Sequence, residues 1–102
     1  MKKEIKVTDS VTLIRKQISL AYESKQQKLT AYIKAKGLYI ETLEQLYNRF
    51  IRSFISEKDF YEQLEFVNKV LYRRYLHKYM DYLKICNELD TLHVKLDFYR
   101  FN

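Results

Sequence analysis

The string Tyr72-Arg73-Arg74-Tyr75-Leu76-His77-Lys78-Tyr79 holds the densest chemistry in the chain. It interleaves cations with aromatic rings. Nucleic-acid binders use that combination to neutralise phosphates and to stack on unpaired bases. On a helix, Arg74 and Lys78 are four apart and share a face, with Arg73 and His77 on the adjoining strip. Tyr75 and Tyr79 fall toward the apolar side, where they act as core rings rather than stacking platforms. The competing reading is a helix flank whose long basic side chains cover apolar neighbours and keep their charges in water. A second basic block runs from Arg15 to Lys36, six bases with Glu23 as its one acid. If the chain contacts phosphate, Arg15, Lys16, Lys28, Arg73, Arg74 and Lys78 are the residues expected to do it.

Catalytic chemistry finds little material. His77 and His93 are the only histidines, sixteen residues apart, with no H-E-x-x-H or E-x-x-H arrangement beside them. There is no glycine-rich phosphate loop and no nucleophile elbow. Glu62 with Glu65, and Glu88 with Asp90, have the spacing of a solvated helix face. The single cysteine, Cys86, excludes an intrachain disulfide and a cysteine-clustered metal site, and its apolar setting reads as a small buried hydrophobe. The expectation is a protein that is not an enzyme and holds no metal or other cofactor.

The elements that position these residues follow from composition. In 102 residues there are one Gly and no Pro. Sandwiches and βαβ folds need many turns, and this chain lacks the residues to make them. Leu, Ile, Lys, Gln and Glu dominate, so the fold class is all-α. A hydrophobic fraction of 47 % excludes a disordered polar chain. Ten Tyr and six Phe supply much of the apolar mass, which favours half-wet seams and interfaces over dry interiors. The +6 net charge sits in the first half: residues 1–56 hold eleven bases against five acids, and residues 57–102 hold eight of each. A basic stretch of this kind suits phosphate, an anionic membrane or an acidic protein, or serves solubility. No signal peptide and no membrane span is visible, so a cytoplasmic location is expected.

Two helical arms are expected in a single domain. Arm one covers about residues 9–54, opening after the capping cluster Thr8-Asp9-Ser10. Its stripe is Val11, Ile14, Ile18, Tyr22, Lys25, Leu29, Tyr32, Lys36, Tyr39, Leu43, Leu46, Phe50, with steps of three and four throughout. The stripe keeps its phase across Gly37, which favours one long helix; a break at Gly37 giving three helices is the alternative. The turn falls at about 55–57, where Ser56-Glu57-Lys58-Asp59 fits a capping box and Phe54 or Ile55 is placed to staple onto Phe60. Arm two covers about 57–91 along Phe60, Leu64, Val67, Leu71, Tyr75, Tyr79, Tyr82, Cys86 and Leu89. Its register places Glu88 opposite Lys25 and Tyr75 opposite Lys36. A tail follows over 92–102. Residues 92–98 alternate apolar and polar, as Glu4–Thr8 does weakly, so both termini are candidates for short extended segments.

Leu46-Tyr47-x-Arg49-Phe50 followed by Ile55-Ser56-x-x-Asp59, with Tyr82-Leu83 and Glu88-Leu89 later, resembles the periplasmic hairpin tip of TolC-like outer-membrane efflux proteins. The similarity covers about half of the chain and implies a helical hairpin there. That family's turn glycine is missing, with Phe54 near its place, as are a signal peptide and barrel strands. No residue role is carried over.

Arm two has a wide apolar face, because Phe66, Val70, Leu76, Met80, Leu83 and Ile85 flank its stripe. An antiparallel helical hairpin leaves that face uncovered, and dimerisation into a four-helix bundle buries it. The leading expectation is a non-enzymatic helical protein that self-associates and binds another macromolecule, a protein partner first. The aromatics left over by internal packing, Tyr61, Tyr72, Tyr99 and Phe101, are its expected interface. The second expectation is a small basic dimeric nucleic-acid-binding regulator that contacts phosphates through its helix faces.

Overall fold

The structure is a computed structural model that describes residues 2–101, with side chains over 9–100. The first helix, α1, spans Lys2–Ile51. The second arm is α2 (Glu57–Phe66), a π-helical segment (Val67–Tyr72) and α3 (Arg73–Phe101). There is no strand among the described residues. Gly37 does not interrupt α1: its φ is not positive, and a Cβ built on it meets nothing within 4 Å. The apolar stripe on either side holds the helix together at a cost of about 1 kcal/mol for the glycine.

The connection starts earlier and is longer than the sequence suggests, running from Arg52 to Ser56. Phe54 N–H donates to Arg49 O at 2.8 Å and Ser53 N–H donates to Phe50 O at 3.0 Å. That pair of bonds is a Schellman ending, which places its C′ residue in the left-handed region. Here that residue is Ser53, with φ 61°, so a serine does the work of the missing glycine. The expected cap is present: Ser56 is extended, and its Oγ accepts from Asp59 N–H at 3.1 Å. Ile55 packs against the cluster that contains Phe60, while Phe54 stays exposed. Of the two candidate staples, Ile55 is the one used.

The chain forms two compact units. One comprises residues 29–80, and the other pairs 1–28 with 81–102. In the 29–80 unit, α1 and the second arm run antiparallel from the turn. Leu46, Phe60 and Val67 are buried there, with Tyr39, Leu43, Phe50, Leu64 and Leu71 packed around them. The π-helical segment answers a feature of the sequence. From Val67 the inward positions step by four to Leu71, Tyr75 and Tyr79, wider than 3.6 on average. The wider i→i+5 turn keeps these residues on the facing side where an α-helix carries them away.

In the other unit, Ile14, Ile18 and Ala21 pack against Ile85, Leu89 and Leu96, with Val11, Tyr82, Leu92 and Tyr99 at the margins. Two inward positions differ from expectation by one residue. Ala21 is buried where Tyr22 was expected, and Ile85 is buried where Cys86 was expected; Cys86 is half-buried. Adjacent residues on a helix differ by 100°, and the facing helix decides which of them enters the seam.

The extended termini are not found. Residues 92–98 belong to α3, and Glu4–Thr8 lies within α1. In a strand, Leu92, Val94, Leu96 and Phe98 share one face. Here Leu92, Leu96 and Tyr99 pack on the core while Val94 and Phe98 are exposed, which is the helical solution of the same pattern.

Candidate interaction surfaces

The 29–80 unit carries a tyrosine stack along its helix–helix seam. Tyr32 lies 5.6 Å from Tyr75 and 5.2 Å from Tyr79, measured between ring centroids. Tyr39 lies 5.4 Å from Tyr72 and 5.9 Å from Tyr75, the latter pair only 6° from parallel. The Tyr75 hydroxyl is held above the usual tyrosine value, first by its hydrogen bond with Tyr32 and then by partial burial. The Lys36 ammonium lies 5.9 Å from the Tyr32 ring, a cation–π distance. Its expected partner was the Tyr75 ring; the neighbouring Tyr32 takes that place.

Around this stack the charges are all of one sign. Residues 29–40 and 66–80 hold Lys34, Lys36, Lys69, Arg73, Arg74 and Lys78 and no acid. Antiparallel pairing brings these two stretches side by side. The rest of the unit, residues 41–65, holds six acids against three bases. Lys69 leans back to this acidic end and pairs with Glu65, whose carboxyl it holds below the usual glutamate value.

On one side of the stack, Lys34, Arg74 and Lys78 line a groove of about 450 Å³ with Ala31, Ala35 and Leu38. Alanines at 31 and 35 keep the wall on the α1 side shallow, and Lys78 is half-buried in the opposite wall. Two of the groove's cations belong to the expected phosphate set. The third, Lys34, does not, although it lies in the basic block that runs to Lys36. Arg73 is exposed on the adjoining strip.

The other unit carries a trough of a different kind. One stretch, of about 730 Å³, is lined by residues including Leu20, Ser24, Asn87, Thr91 and Leu92. A further stretch of about 500 Å³ includes Leu13, Val94, Phe98 and Tyr99, and Gln17 and Lys95 line both. Leu13 and Leu20 are 56 % and 57 % exposed, and Val94 and Phe98 are 68 % and 61 %. Nearby, the Tyr22 Oη and His93 Nε2 are 3.1 Å apart across the two helices. Lys25 does not meet Glu88 as expected; its ammonium sits 5.8 Å from the Tyr22 ring. Arg15 and Lys16 are exposed. Lys28 lines a groove with Asp81, Lys84 and Glu88, where two acids balance two bases, so it stands apart from an all-cationic anion site.

The expected interface aromatics divide. Tyr61 is 58 % exposed, with its ring edge-on to Phe60 at 5.4 Å. Tyr72 is exposed on one side and packs on Tyr39 with the other. Tyr99 is not left over, because it packs against the core of its unit. The side chain of Phe101 lies outside the described residues. Sequence reasoning missed Leu13, Leu20, Val94 and Phe98. The signal for Val94 and Phe98 is the alternation at 92–98, which suits a strand as well as a helix, and that for Leu13 and Leu20 is their seven-residue spacing.

No helix among the described residues is long and apolar enough to cross a membrane. Set against protein families, curated proteins and solved structures, the chain matches none of them.

Proposed function

We propose that this chain is a non-enzymatic helical interaction protein that self-associates and docks on protein surfaces through the apolar trough of its 1–28/81–102 unit. One observation carries the reading. Leu13, Leu20, Val94 and Phe98 are each more than half exposed along one continuous trough. Burying a Leu, Val or Phe side chain fully is worth roughly 1.5–3 kcal/mol, so half-burial of four in each of two copies is a substantial driving force. The first occupant is a second copy. Leu13 and Leu20 are seven residues apart, the repeat on which helix seams pair, and polar residues such as Gln17 and Asn87, with the charged Lys84, Glu88 and Lys95, suit an interface margin. Dimerisation of this kind forms a four-helix arrangement. A lone thiol at Cys86 suits a reducing, cytoplasmic setting.

The test is mass in solution. Light scattering at tens of micromolar is expected to return twice the chain mass of 12.6 kDa. Leu13→Gln with Val94→Gln is expected to return the single-chain mass with helicity unchanged by circular dichroism. A wild-type monomer across that concentration range overturns the proposal.

A further inference from the structure

We infer that the groove formed by Lys34, Arg74 and Lys78 in the 29–80 unit is a contact site for the phosphodiester backbone of a nucleic acid. The argument begins with charge segregation. Six bases and no acid occupy the two stretches that flank the tyrosine stack, while the acids of the same unit collect toward the turn. Like charges brought together without a counter-charge repel one another, and a phosphate between them removes that cost. Lys34 and Arg74 have no acidic neighbour within four residues along their own helices, and Lys78 has one, Asp81, three residues on. All three line one groove.

The shape of the groove supports the same ligand. Ala31 and Ala35 leave room for an anion to approach the α1 backbone, and Arg74 supplies a planar fork suited to phosphate oxygens. Arg73 and Lys36 extend the positive strip beyond the groove. A charged strip longer than one phosphate suits a polyanionic strand better than a single phosphate group. The rings of Tyr32, Tyr39 and Tyr75 are committed to one another in the seam. Contact is therefore with the backbone, independent of base sequence. This site does not depend on self-association, which uses the other unit.

Fluorescence anisotropy with a labelled 20-base single strand and a 20-base-pair duplex tests the site. With about three phosphates neutralised, log K is expected to fall against log salt with a slope of about −2 for the single strand and about −3 for the duplex. Arg74→Glu with Lys78→Glu is expected to weaken binding at least tenfold and flatten that slope by about two. Arg52→Glu with Lys58→Glu changes net charge equally but at the acidic end, and is expected to bind within twofold of wild type. Circular dichroism and light scattering check that both variants keep their helicity and mass, which separates this result from any failure to self-associate. Equal losses in the two variants reduce the effect to net charge and overturn the site. Absence of binding to either oligonucleotide at low salt, or a preference for anionic phospholipid vesicles, overturns it as well.

Discussion

Tyr39 and Tyr75 lie face to face across the helix–helix seam, 5.9 Å between centroids and 6° from parallel. Tyr75 also meets Tyr32 on the same helix as Tyr39, so one ring of the second arm is held by two rings of α1 seven residues apart. A seam built this way uses flat, amphipathic surfaces that keep their hydroxyls near water. Replacing Tyr39 and Tyr75 by Leu, singly and together, should reveal a coupling of about 0.5–1.5 kcal/mol in a denaturant double-mutant cycle. Additive losses would mean that the rings contribute area alone.

The raised Tyr75 hydroxyl sets an alkaline limit. Its folded value lies above the unfolded value of 10.0, so its contribution is intact below about pH 10. As pH rises toward the folded value, the unfolded state loses the proton first and stability falls. The urea midpoint should drop between pH 9 and pH 11 by more in the wild type than in Tyr75→Phe. Equal drops would assign the loss to other tyrosines.

Gly37→Ala is expected to stabilise the chain by about 0.5–1 kcal/mol. The site is mid-helix, and the added Cβ meets no neighbour within 4 Å. Thermal unfolding followed by circular dichroism should show a higher midpoint. A lower one would mean that the backbone at 37 is not relaxed α-helix.

Ser53→Gly should stabilise by a similar amount for a different reason. A non-glycine residue at φ 61° carries a steric cost that glycine avoids. Ser53→Ala keeps the Cβ and should show no such gain. If both substitutions behave alike, the left-handed residue is not what limits the turn.

Leu46 is 1 % exposed between Phe60 and Val67. Leu46→Ala should cost about 2–5 kcal/mol, whereas Ile33→Ala, at a position more than half exposed, should stay within about 0.5 kcal/mol. Chemical denaturation of the two variants separates a packed core from a loosely filled one.

Much of this fold is legible in local sequence because its causes are local. A lack of Pro and Gly leaves the helix as the one economical backbone. Ser56 caps α2 through an amide three residues away, and the 3–4 stripe of α1 survives Gly37 because each turn needs only its neighbours. Interactions that span four residues can be found by reading four residues.

What required the tertiary structure concerns partners distant in the chain. Ala21 rather than Tyr22, and Ile85 rather than Cys86, enter the seam because the facing helix sets the rotation. The π-helical turn after Val67 exists to keep Leu71, Tyr75 and Tyr79 facing α1, and no local rule demands it. The alternation at 92–98 satisfies a strand and a helix equally on paper; the packing of Leu96 into the Ile14–Ile18 core selects the helix. Lys34 is forty residues from Arg74 in sequence. Only the antiparallel return of the chain brings them to one groove, and a pattern search along a single helix sees at most two of its three cations.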